Sequence, residues 1–232
     1  MTRTSRHAKH LGVSIAVALF ATAQSPARAG PPAVPEGAAV CVACHGAQGE
    51  GSEAAAAPRL AGQNAEYLEH TLTMLKAGTR LSPVMQPIAR GLSDAQIHEL
   101  TSYFAGLRGV RASTVAAPPA DLVRAGKELA QIGAMNDPTP PCVSCHGIDG
   151  RGVGARFPSI AGQPVTFLAS RLHEFQVRAK AKAPDPGTMT EVATHLNEAQ
   201  IRQVAAYLST LPPFEAQRAS APAATAFEDS AH

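Results

Sequence analysis

Four cysteines occur in this 232-residue chain, and they fall into two pairs of identical spacing. Residues 41–45 read Cys-Val-Ala-Cys-His and residues 142–146 read Cys-Val-Ser-Cys-His, each followed at once by glycine. Two thiols three positions apart, with an imidazole next in line, allow four chemistries. Structural zinc takes four ligands, and its two Cys pairs usually lie about 15–20 residues apart; these lie nearly a hundred apart. Disulfides suit an exported chain with an even cysteine count. A redox-active Cys-x-x-Cys pair expects a βαβ surrounding, and no alternating strand pattern is present. The fourth chemistry is covalent c-type haem, whose attachment signature is Cys-x-x-Cys-His.

The histidines decide among these. At 9 histidines in 232 residues, chance places one after both pairs in roughly one chain in seven hundred, and only the haem signature requires it. Cysteines at i and i+3 of an incipient helix share a face and can add to both vinyl groups of one haem. The following imidazole then lies under the ring as the proximal iron ligand. Cys41, Cys44 and His45 thus hold one haem c group, and Cys142, Cys145 and His146 a second. Gly46, Gly49 and Gly51, like Gly147, Gly150 and Gly152, leave backbone room beside the porphyrin edge. Aromatic residues make up only 4% of the chain and Trp is absent, so two apolar haem plates are expected to fill otherwise thin cores.

The elements that must position these groups also come twice. "APRLAGQ" (57–63) returns as "FPSIAGQ" (157–163), and "GLSDAQIHELTSYFAGL" (91–107) as "HLNEAQIRQVAAYLSTL" (195–211). Ser93 with Gln96 and Asn197 with Gln200 form capping-box patterns at the start of a final helix in each copy. Ile97, Leu100, Phe104 and Leu107 share one face of the first; Val204, Leu208 and Leu211 continue that of the second. A middle helix follows each "AGQ", with Leu68, Leu72 and Leu75 in one copy and Leu168, Leu172 and Phe175 in the other. "DLVRAGKELA" (121–130) makes an amphipathic helix before the second pentad, with Gly126 allowing close approach to the final helix. Before the first pentad, the prolines of "GPPAVPEGAAV" (30–40) leave room for about one turn. The first half is therefore expected to be the less stable, with the more exposed haem. The fold class is all-α.

The repeat also selects the distal iron ligands. Only Met85 and Met189 match each other among the methionines, each eight residues before its helix cap and 40 and 43 residues beyond His45 and His146. Met74 aligns with Glu174 and reads as a gap filler; Met135 falls in an insertion. His70, His98, His173 and His195 lack histidine counterparts and read as surface or helix-face residues. Iron ligands are thus expected to be His45 with Met85 and His146 with Met189, a pairing that raises the potential.

Taken together, "CVACHG", "CVSCHG", "PRLAGQ", "PSIAGQ", the two Met positions and the final helices resemble the diheme cytochrome c4 family over nearly the whole mature chain. The resemblance implies two tandem class I cytochrome c domains, each wrapped around one covalently bound haem, with the propionate edges close across an interface. It implies that the carbonyls of Pro58 and Pro158 orient the proximal imidazoles. It also implies export to the periplasm and an electron carrier that delivers to a terminal oxidase.

Residues 1–29 read as a signal peptide: Arg3, Arg6 and Lys9 precede the apolar run 11–23, and "ARA" (27–29) offers a cleavage site after Ala29. Their removal takes the formal charge from +2 to −2, so nucleic acid is not an expected partner. The expected domains are 30–112 and 121–213, joined by a linker (113–120) and followed by a disordered tail (214–232). Three functions remain open. The first is a free carrier passing single electrons between a donor cytochrome or dehydrogenase and an acceptor oxidase. The second is a dedicated cytochrome subunit of a periplasmic dehydrogenase complex. The third is an enzyme, but a peroxidase needs an open iron position, and a thiosulfate-oxidising haem protein needs a further cysteine ligand. No small-molecule substrate is expected. Peripheral membrane association is a further partner option, and the run Arg178, Lys180, Lys182 is a candidate docking patch for an acidic partner.

Overall fold

A computed structural model describes residues 34–111, 116–134, 138–182 and 187–213. The expected signal peptide (1–29), the first three residues of the expected linker (113–115), Met135 and the expected tail (214–232) lie outside the described residues. The first half carries α1 (Ala38–His45), α2 (Ala65–Ala77), α3 (Met85–Arg90) and α4 (Asp94–Gly106). In the second, α5 (Ala120–Ile132) comes first, followed by α6 (Cys142–His146), α7 (Val165–Lys180), α8 (Thr188–Thr194) and α9 (Glu198–Thr210). Among the described residues the only β pairing is two isolated bridges, Ser52 with Ala57 and Val153 with Phe157, at matching points of the repeat. No described helix is long and apolar enough to cross a membrane.

Both expected capping boxes form. Ser93 and Gln96 exchange side-chain-to-backbone bonds at the start of α4, and Asn197 with Gln200 does the same at α9. The expected faces are the buried ones: Ile97, Leu100 and Phe104 on α4, and Ile201, Val204 and Leu208 on α9. α5 begins at Ala120, one residue before the expected boundary, and packs across α9 through Leu129, Ala130, Val204 and Tyr207. Gly126 lies at the crossing, where an added Cβ would stand 1.9 Å from the carbonyl oxygen of Gln203. Among the described residues α4 has no such partner, because α1 starts only three residues before Cys41.

Several bonds tie the halves together. α7 opens on Pro164, which has no side chain to cap it. Glu53 of the first half takes that role: its carboxylate accepts from the Val165 N–H at 2.6 Å and the Thr166 N–H at 2.9 Å. Such a contact places negative charge at the positive end of the helix dipole. At the other pole, Arg111 donates to the Ser209 and Thr210 carbonyls at the end of α9. The expected repeat is thus present as structure, with cross-half contacts that its sequence periodicity does not contain.

Candidate haem sites

The first Cys-x-x-Cys-His segment is the C-terminal part of α1 and the second is the whole of α6, and each helix ends at a glycine of positive φ, Gly46 or Gly147. The chain then folds back over the imidazole through a fixed set of bonds. Gly51 N–H donates to the His45 carbonyl and Gly152 N–H to the His146 carbonyl, both at 2.7 Å. Leu60 and Ile160 donate to Gly49 and Gly150, both at 2.8 Å. At Gly51 and Gly152, φ is +87° and +89°, and an added Cβ would stand 2.7 Å from the backbone nitrogen of Arg59 or Ser159. These two glycines therefore let the proline loop close on the histidine, which is a different reason from clearance at the porphyrin edge.

That closure fixes the imidazoles. His45 Nδ1 lies 2.8 Å from the Pro58 carbonyl, and His146 Nδ1 lies 2.8 Å from the Pro158 carbonyl. A carbonyl can only accept, so Nδ1 holds the proton in both rings and Nε2 keeps its lone pair for a metal. Both histidines are about 5% exposed, and burial lowers both pKa values, which keeps the rings neutral. Neutral, oriented imidazole is what an iron ligand requires.

The cysteines discriminate among the remaining chemistries. All four are free of disulfides. Burial raises the Cys41 thiol and pushes Cys142 up to about 11, the reverse of the activation that a redox-active pair needs. No cluster of three or more His, Cys, Asp or Glu able to hold a metal ion exists among the described residues, so structural zinc has no four-ligand site there.

What the second pentad does face is a cavity of about 760 Å³, bordered by Cys142, Cys145, His146 and Met189 and walled by apolar residues of α5, α7 and α9. The donor set and the apolar cleft fit a haem. Met189 sits at the N-terminal end of α8 and borders the same cavity as His146, and Met85 opens α3 at the equivalent place. Both are half-buried. α2 of the first half closes part of the rim with Tyr67, His70 and Met74. By sequence Met74 reads as a filler and His70 as a surface or helix-face residue, because the periodicity of one half does not report a neighbour from the other. His98, His173 and His195 instead pair with Glu69, Glu198 and Glu191. Within the candidate docking run, Arg178 turns to the Thr79 carbonyl of the first half, which leaves Lys180 and Lys182 exposed.

One buried residue was not anticipated. Arg59 is 1% exposed and reaches across the halves: its guanidinium donates to the Ala61 and Ala161 carbonyls and to Ser159 Oγ. Among the described residues no carboxylate pairs with it, and Nε has no partner. Burial lowers its pKa to about 10, so it remains a cation at neutral pH.

Two helices ending in Cys-x-x-Cys-His, each with its imidazole held through Nδ1, define a tandem c-type haem protein. The family model for cytochrome c matches residues 37–108 and 124–212. The chain is 34% identical over 212 residues to the thiosulfate dehydrogenase electron acceptor of Thiomonas intermedia (strain K12), covering 91% of this chain and 94% of that protein. Its structure resembles cytochrome c4 of Acidithiobacillus ferrooxidans at TM-score 0.65 and 32% identity, over 75% of this chain and 99% of that one. It also resembles thiosulfate dehydrogenase (TsdBA) from Marichromatium purpuratum at TM-score 0.66 and 36% identity. That likeness covers 74% of this chain but only 36% of the enzyme. The chain belongs to the cytochrome c family, among its diheme cytochromes c4, and carries two covalent haem c groups.

Proposed function

We propose that this chain is an exported, periplasmic electron carrier in which His45 with Met85 and His146 with Met189 ligate the two irons. It takes single electrons from a dehydrogenase of the thiosulfate-oxidising kind and passes them to an acceptor such as a terminal oxidase. Each bound haem supplies a one-electron ferric/ferrous couple. The chain's own residues do the rest. Cys41, Cys44, Cys142 and Cys145 tether the rings, the Pro58 and Pro158 carbonyls hold the imidazoles, and Tyr67, His70 and Met74 of α2 border the second site.

The observation that carries the carrier reading is the duplicated geometry. Two neutral imidazoles are locked by the same 2.8 Å bond, and Met85 and Met189 stand at the same point of the repeat, in the first turns of α3 and α8. An iron with a ligand on both faces can change oxidation state without binding a substrate. The dehydrogenase as donor rests on the likeness to an electron acceptor of thiosulfate dehydrogenase over almost the full length of both chains. Stopped-flow absorption tests it. Thiosulfate with a thiosulfate dehydrogenase should reduce both haems, and thiosulfate alone should reduce neither. Reduction by thiosulfate alone would make the chain an enzyme, and no reduction with the dehydrogenase present would remove that donor.

A further inference from the structure

The "AGQ" glutamines have no part in the function described so far, yet both are buried: Gln63 is 5% exposed and Gln163 is 3% exposed. Their side chains cross between the halves in a reciprocal pattern. Gln163 Oε1 accepts from the Arg59 N–H at 2.8 Å, and its Nε2 donates to the Arg59 carbonyl at 3.1 Å. Gln63 Oε1 accepts from the Ser159 N–H at 2.9 Å, and its Nε2 donates to the Ser159 carbonyl at 2.9 Å. An N–H can meet only the amide oxygen and a carbonyl only the amide nitrogen, so both amide orientations are fixed.

Arg59 and Ser159 each follow a proline whose carbonyl holds a proximal imidazole. The Arg59 N–H and the Pro58 C=O belong to one peptide group, as do the Ser159 N–H and the Pro158 C=O. A continuous line of bonds therefore runs from Gln163 through the 58–59 peptide to His45 Nδ1. Its mirror image runs from Gln63 through the 158–159 peptide to His146 Nδ1. Accepting a bond from a peptide N–H polarises that peptide and makes its carbonyl a stronger acceptor, by roughly 10–30% per bond. A stronger acceptor at Nδ1–H makes Nε2 a better donor to iron, and a better donor stabilises the oxidised state.

We infer that Gln63 and Gln163 are crossed positioning residues, each holding and polarising the proximal histidine of the opposite haem. Docking of the halves then contributes to both potentials, and each half lowers the potential of its neighbour. This rests on the diheme reading above.

The test is a redox titration of the full-length holoprotein followed by NMR, using the hyperfine-shifted methyl signals assigned to each haem. Q163L removes the acceptor from Arg59 N–H. It should raise the midpoint of the haem on His45 by roughly threefold in its reduction equilibrium, about 30 mV at 59 mV per tenfold, and leave the haem on His146 nearly unmoved. Q63L should do the converse. Q163E retains the shape, an oxygen towards Arg59 N–H and, as the neutral acid its buried carbonyl surroundings favour, an O–H towards the Arg59 carbonyl, so the His45 haem should stay near its wild-type potential. A shift on the same side as the substitution, equal shifts of both haems, no shift, or a Q163E that behaves like Q163L would overturn the inference. A wild-type chain without two covalent haems overturns the diheme reading and this inference together; two haems without a crossed shift overturn this inference alone.

Discussion

Replacing Gly126 with alanine, G126A, sets a single methyl group against the backbone of the neighbouring helix. The added carbon would stand 1.9 Å from Gln203 O, 2.5 Å from Gln203 C and 2.9 Å from Tyr207 Cβ. Ordinary contact lies near 3.4 Å, so α5 and α9 must separate by about 1.5 Å at this point. Two of the three atoms are backbone, which a rotamer change cannot move. Overpacking of this kind costs roughly 1–3 kcal/mol, and the separation also loosens Leu129, Ala130, Val204 and Leu208. Alanine returns about 1 kcal/mol of helix propensity. The clash is with backbone, so the upper end of the range applies and the net loss is about 2 kcal/mol. For a domain of this size that lowers Tm by roughly 8–16 °C. Thermal unfolding of the ferric holoprotein, followed by far-ultraviolet circular dichroism and by the signals of each haem, reads the effect. Signals of the haem on His146 should be lost first. A G126A protein that melts at or above the wild type would refute the close-approach argument.

Other consequences follow from the same contacts. E53A removes the cap that the first half places on α7, and should cost about 1–2 kcal/mol in guanidinium unfolding; an unchanged midpoint would show that the contact contributes nothing. R59L removes a buried cation that favours the reduced, less positive state of both irons. Both potentials should fall in a potentiometric titration, each by roughly tenfold or less in its reduction equilibrium at an effective dielectric near 20, and a rise in either would contradict the electrostatic reading. M85A and M189A should each halve the near-infrared sulfur-to-iron band of the oxidised protein and open one haem to cyanide, whereas a band left intact would clear that methionine of ligation.

The catalogue of elements was legible because local rules govern it. Ser93 and Asn197 announced their helices through side chains that bond their own backbone, and Ile97, Leu100, Val204 and Leu208 announced the buried faces by spacing alone. Gly126 stood out in an otherwise amphipathic run, and the crossing at Gln203 supplies its reason. The pentads were legible for a chemical cause: two thioethers and an imidazole on one haem tolerate little variation in spacing. What the sequence did not disclose depends on contacts about a hundred residues apart. Arg59 looks like a surface cation by type, but its partners Ser159 and Ala161 come from the other half. Gln63 and Gln163 were visible as a repeated motif, and only the docked halves show that each meets the peptide behind the other's histidine. Met74 and His70 have no counterpart of their own kind in the other copy of the repeat, and the cavity they border belongs to the second half.

A pyridine haemochrome count on the purified holoprotein, taken with its oxidised near-infrared spectrum, decides whether two Met-ligated haems are present. Two covalently held haems per chain are expected, with a sulfur-to-iron band of the strength two Met-ligated irons give. One haem per chain, or a half-strength band with a high-spin component that binds cyanide readily, would contradict this expectation and reopen catalysis at the unligated iron.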